Sequence, residues 1–129
     1  MQQTGVDFYL DVHGDETIPY CFVVPSDTVP SGTARLIELR RSFETALVAA
    51  NPDFQTEHAY PPESPGSADL AIGANWVEEQ FRCLSVTLEQ PFKDPANSPL
   101  TEAGWSPGRS RKLGADTLAA LASILGQLR

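Results

Sequence analysis

The sequence predicts an α/β fold: a layered sheet with flanking helices. Three observations predict it. Three short runs are apolar and β-prone, and three longer segments carry apolar residues at steps of three and four. The elements follow the order strand, strand, helix, helix, strand, helix. With 129 residues, 41% of them hydrophobic, the chain suits one compact unit and is too short for two ordinary domains.

The first strand is Asp7-Phe8-Tyr9-Leu10-Asp11-Val12, which stops at His13-Gly14. A second short strand covers Tyr20 to Val24 and is closed by Pro25. Ser26 to Gly32 is rich in turn formers. Thr33 to Ala50 reads as an amphipathic helix, because Leu36, Leu39, Phe43 and Leu47 stack on one face. Asn51-Pro52 stops it, since proline cannot continue a helix. Phe54 to Gly66, with Pro61, Pro62 and Pro65, is a loop long enough to suggest a functional role. Ser67 to Phe81 reads as a second helix, with Leu70, Ala74, Val77 and Phe81 inward and Glu78-Glu79 outward. Arg82 to Glu89 is the third strand, and Lys93 to Gly104 is loop. Ser106-Pro107 supplies an N-cap and a first helical residue. The last helix runs to the C-terminus, with Leu118, Leu121, Leu125 and Leu128 as its expected stripe. There is no internal repeat.

Nine Lys and Arg against seventeen Asp and Glu give a net charge of -8. Such a surface repels phosphate, which argues against nucleic acid or an anionic membrane as partner. No stretch reaches the roughly 20 apolar residues of a membrane helix, and the N-terminus lacks the parts of a signal peptide. Cys21 and Cys83 each sit in an apolar run, which points to buried free thiols and a cytoplasmic setting.

His13 ends one apolar strand and Glu89 ends another, with helices between them. Parallel pairing would put both at the carboxyl edge of one sheet, where sites of open α/β folds gather. In Asp11-Val12-His13-Gly14-Asp15-Glu16, a neutral histidine is a zinc-ligand type, and Asp11, Asp15 or Glu16 could orient it. Gly14 would let backbone approach a metal or substrate closely. The plainer reading is a strand-end histidine bonded within a turn. At a strand end, Glu89 is poorly solvated, which raises its pKa toward that of a general base. The plainer reading there is a carboxylate paired with a cation at the sheet edge.

Taken together, these segments resemble the C-terminal part of the M14 family of zinc carboxypeptidases, and its cytosolic-carboxypeptidase-like bacterial branch in particular. Asp11-Val12-His13-Gly14-Asp15 is similar to the strand bearing that family's third zinc ligand, and Thr87-Leu88-Glu89 to the strand bearing its catalytic glutamate. Gly66-Ser67-Ala68-Asp69 resembles the segment lining the pocket for the substrate's last side chain, and Trp105 to Ser110 with the final helix also resembles the branch.

The resemblance implies that residues 1–129 are the C-terminal part of a zinc carboxypeptidase catalytic domain, with the fold of that part of the carboxypeptidase sheet. It implies Zn2+ as cofactor, with His13 as one metal ligand and Glu89 as general base. It implies Tyr60, Ser67, Ala68, Asp69 and Thr87 at the substrate, which would be a peptide or protein C-terminus. The family's His-x-x-Glu zinc motif and its carboxylate-gripping arginine and asparagine have no counterpart in this chain. The only other histidine, His58, lies in the proline-rich loop. The chain is therefore expected to be a piece of a longer enzyme and inactive alone. Ser67-Ala68-Asp69-Leu70 has no lysine or arginine, so this segment predicts no preference for an acidic last residue. The competing expectations are a non-catalytic carboxypeptidase-like binding domain and an acidic structural domain with no site.

Overall fold

The computed structural model describes Met1, residues 3–97 and residues 104–128. Part of the expected Lys93–Gly104 loop and the last residue of the final helix lie outside the described residues. The elements in order are β1 (Phe8–Asp15), β2 (Phe22–Pro25), α1 (Ala34–Ala50), α2 (Gly73–Phe81), β3 (Leu84–Pro91) and α3 (Pro107–Ile124), which a tight helical turn follows at Leu125–Gln127. The predicted order of elements is the observed one.

The sheet runs β1-β3-β2. β3 is parallel to β1, with His13 opposite Glu89, and β2 is antiparallel to β3, with Phe22 opposite Glu89. Side chains alternate along a strand, so this register sorts the residues onto two faces. On one face lie Phe8 and Leu10 of β1, Leu84, Val86 and Leu88 of β3, and Val23 of β2. They pack with Leu39, Phe43 and Leu47 of α1 and Leu113, Ala120 and Ile124 of α3 to form the hydrophobic core. The other face carries Tyr9, Asp11, His13, Ser85, Thr87, Glu89, Phe22 and Val24. Part of it is covered by α2, whose Ala74 carbonyl accepts the Ser85 hydroxyl at 2.7 Å.

Local chemistry explains the helix ends. The Thr33 hydroxyl accepts the Leu36 amide and caps α1, and the Ser106 hydroxyl accepts the Arg109 amide and caps α3, with Pro107 at its first position. α1 buries Leu36, Leu39, Phe43 and Leu47, as its periodicity predicts.

Two helices depart from expectation. α2 begins at Gly73, not Ser67. The Asp69 carboxylate accepts the Ala71 amide, and the Asp69 carbonyl accepts the Asn75 side chain. These bonds fold the segment into a turn that competes with helix. Leu70 is consequently exposed, and Glu78, expected outside, is 1% exposed against β3. In α3 the buried stripe is Leu113, Thr117, Ala120 and Ile124. Leu118 and Leu125 are 66% and 58% exposed, while Leu121 and Leu128 pack only at the core's margin. Both stripes have helical spacing. The chosen one carries two small residues, Thr117 and Ala120, on a helix that packs against α1, and the Thr117 hydroxyl is satisfied by the Leu113 carbonyl at 2.8 Å. Both cysteines are free and buried.

Candidate active site

β1 and β3 end side by side, and their paired last turns carry the chemistry. The Glu89 side chain is 8% exposed, and His13 beside it is 53% exposed. One imidazole nitrogen of His13 lies 3.6 Å from Glu89 Oε1, and the other lies 3.2 Å from Asp11 Oδ2. Asp11 and His13 are two residues apart on one strand face, so the carboxylate is placed to fix the imidazole's orientation. Glu89 Oε2 is buried and has no hydrogen-bond partner among the described residues. Burial raises the Glu89 pKa, His13 opposes the shift, and Asp15 and Asp11 add to it.

A cavity of 710 Å³ opens on this face of the sheet. His13, Thr87 and Glu89 form one part of its wall, Phe22, Val24 and Tyr60 another, and Ile72 and Asn75 of the α2 region a third. Arg40 and Glu44 of α1 also reach it, as does Glu63 of the proline-rich loop. The Arg40 guanidinium donates to Asp27 Oδ2 at 2.8 Å and to Glu44 Oε2 at 2.7 Å.

The other residues singled out in the sequence are placed as follows. Tyr60 is on the cavity wall, with its hydroxyl donating to Asp15 and its ring edge-on to Phe22 at 5.3 Å. The Asp15 bond raises the Tyr60 pKa. Asp15, weighed as an orienter of His13, instead serves Tyr60 and a turn. Burial pushes its pKa up, but the bonds from Tyr60, Ile18 and Thr17 outweigh burial and hold it below the usual carboxylate range. Ser67, Ala68 and Asp69 are not on the cavity wall. The Ser67 hydroxyl bonds to the Ser64 carbonyl, the Ala68 amide to the Thr28 carbonyl, and Asp69 shapes the turn before α2. Because α2 starts late, the wall is made by Ile72 and Asn75 instead, and the cation reaching it is Arg40. The segment itself carries no cation, as its sequence shows; the cation on the wall comes from α1. A side chain at Gly14 would collide with the Phe92 ring, so the glycine lets Phe92 lie close against the end of β1. His58 stacks on Tyr20 at 4.3 Å and is not on the wall.

The contributions of Phe22 and Val24 were legible in the alternation of β2, which points them away from Cys21 and Val23. The Arg40–Glu44 pair has the i,i+4 spacing of a helix ion pair, but nothing in that spacing tells that it borders a cavity.

Among the described residues no group of three or more His, Cys, Asp and Glu is arranged to hold a metal ion. A catalytic zinc takes three protein ligands and a water. His13 offers one such donor, so the residues present do not by themselves fit the ion.

No family model matches the sequence. In structure the chain is similar to a metallo-carboxypeptidase of Pseudomonas aeruginosa, solved in complex with (2-guanidinoethylmercapto)succinic acid. The TM-score is 0.96 at 43% identity, covering 100% of this chain and 34% of that one. It is also similar to a putative carboxypeptidase A of Shewanella denitrificans, with TM-score 0.95 and 44% identity over 98% of this chain and 34% of that one. A metallo-carboxypeptidase of Burkholderia cenocepacia matches at TM-score 0.90 and 42% identity, over 97% of this chain and 33% of that one. In sequence, an uncharacterised protein of Zymomonas mobilis is 42% identical over 128 residues, which is 99% of this chain and 34% of that protein. The chain thus spans about a third of the length of the proteins it matches. The fold is that of the C-terminal portion of the carboxypeptidase-like domain: a small mixed sheet with flanking helices.

Proposed function

We propose that this chain supplies the general-base third of a zinc carboxypeptidase catalytic domain, of the M14 family and its cytosolic-carboxypeptidase-like branch. The whole enzyme hydrolyses the last peptide bond of a peptide or protein and works in the cytoplasm. The observation that carries this reading is the Glu89–His13 pair. A buried carboxylate with one unpartnered oxygen lies beside a half-exposed imidazole, at the ends of adjacent parallel strands, on a cavity wall. Likeness to metallo-carboxypeptidases over nearly all of the chain supports it.

Each residue has a stated task. Glu89, made more basic by burial, takes a proton from the attacking water and gives it to the departing amine. His13 contributes one donor to zinc, and Asp11 holds its ring. Were zinc bound, it would polarise the scissile carbonyl and acidify a water, with His13 as the one donor this chain would supply. Thr87 and Tyr60, with Phe22 and Val24, shape the cavity that receives the last side chain. Ser67, Ala68 and Asp69 act on it indirectly, by fixing where α2 begins.

The test is a chimera in which this chain replaces the matching third of the Pseudomonas aeruginosa enzyme. The chimera is expected to bind zinc and release C-terminal residues. Glu89→Gln should lose activity by a factor of about 10² or more with metal retained, whereas His13→Ala should lose the metal. Equal turnover by the chimera and its Glu89→Gln variant would overturn the assignment. A second reading is a carboxypeptidase-like binding domain without catalysis. A chimera that binds peptide but neither holds zinc nor hydrolyses the peptide would support it.

A further inference from the structure

We propose that Asp15 is the positioning residue for Tyr60: it pins the phenol to the end of β1, so that the ring forms a fixed wall of the cavity next to Glu89. The inference rests on the proposed function only in taking this cavity as the peptide site.

Tyr60 rides on a loop with Pro61, Pro62 and Pro65 and is 44% exposed. A tyrosine this exposed ordinarily bonds to water and rotates freely. Two contacts hold this one: the edge of the ring on Phe22, and the hydroxyl on Asp15.

The anchor is itself rigid. Asp15 is 5% exposed at the end of β1. Its Oδ1 accepts three donors: the Thr17 amide at 2.5 Å, the Thr17 hydroxyl at 2.8 Å and the Ile18 amide at 2.9 Å. Those bonds fix the carboxylate plane and leave Oδ2 for the phenol. Asp15 stands two residues after His13 on the same face of β1. The latch therefore ties the proline-rich loop to the strand that bears His13. It also commits the Tyr60 proton. A ligand that recruits this hydroxyl must displace it from Asp15, and a ligand carboxylate competes with Asp15 through the same chemistry.

The experiment is solution NMR on the 129-residue chain. In the wild type, the Tyr60 hydroxyl proton should exchange slowly with solvent, while that of Tyr20 exchanges fast, and the Tyr60 ring should hold one rotamer against Phe22. Asp15→Asn should speed Tyr60 hydroxyl exchange about ten-fold or more, the effect of losing one hydrogen bond of ordinary net strength. The Thr17 and Ile18 amides should stay protected, which separates release of Tyr60 from collapse of the turn. Tyr60→Phe leaves the Asp15 turn untouched and covers the case in which Asp15→Asn does not fold. Its ring should populate more than one rotamer.

A Tyr60 hydroxyl that exchanges as fast as that of Tyr20 in the wild type would overturn the proposal. So would unchanged exchange in Asp15→Asn, or a single fixed rotamer in Tyr60→Phe, since each would mean that loop packing alone positions the ring. None of these measurements reads hydrolysis. An inactive chimera removes the proposed function and leaves the latch standing, and a failed latch leaves the function standing.

Discussion

Glu78 offers the sharpest energetic test of this fold. It sits on α2 with its side chain turned toward β3, is 1% exposed, and accepts the Ser85 amide through Oε2 at 3.3 Å. Its Oε1 has no hydrogen-bond partner among the described residues. Burial raises its pKa from 4.5 to about 7, Asp27 adds to the rise, and the Ser85 amide and Arg40 oppose it. Because the folded pKa lies above the unfolded one, the native state holds the proton more tightly. Stability is then undiminished below pH 4.5 and is lost as pH rises from there through 7. At about 1.4 kcal/mol for each pKa unit, the full loss above pH 8 is about 3 kcal/mol. Glu78→Gln keeps the shape and an acceptor for Ser85 but cannot ionise. It should match the wild type near pH 4 and exceed it by up to about 3 kcal/mol at pH 8, a shift of about 2 M in the urea midpoint for a typical m-value. The assay is urea unfolding of both proteins across this range. Other titrating groups are common to the two, so they cancel in the difference. A difference that is constant with pH, or that grows as pH falls, would refute the reasoning.

Three further outcomes are expected. Leu113→Ala in α3 should cost about 2–5 kcal/mol, whereas Leu118→Gln in α3 and Leu125→Gln in the turn after it should stay within about 0.5 kcal/mol; a larger cost for the Leu118 and Leu125 variants in denaturant unfolding would mean that the other stripe is the buried one. Cys21 and Cys83 are buried, with pKa values pushed by burial to about 12 and about 11, so a thiol reagent at pH 8 should label neither in the native chain and both in denaturant. The 129-residue chain with added zinc should release no C-terminal residue from peptides above background, because His13 is one donor where a catalytic zinc takes three; sustained zinc-dependent release would contradict the ligand count.

How much the sequence disclosed follows how local each determinant is. β1, β3, α1 and the caps at Thr33 and Ser106 depend on neighbours a few positions away, so period and cap chemistry suffice to read them. The choice between two stripes on α3 depends on α1, which is far away in the chain. The start of α2 depends on a turn at Asp69 whose side-chain bonds compete with helix, and propensity alone does not weigh that competition. His13 and Glu89 were legible because each ends an apolar strand. Arg40, Glu44 and Ile72 on the cavity wall were not, because each belongs to an element whose other residues are ordinary.

The sequence by itself determined the order of elements, the two-residue alternation that divides each strand into a core side and a site side, and the placing of an imidazole and a carboxylate at strand ends. These follow from backbone geometry, which is the same wherever the chain goes. Only the tertiary structure decided that His13 faces Glu89 in exact register, that Asp15 holds Tyr60 and not His13, and that Glu78 is buried with no ion-pair partner among the described residues. Those facts depend on which strands pair and how far each helix slides. That is settled by burying the most apolar surface at native density, a property of the whole packed chain and of no segment within it.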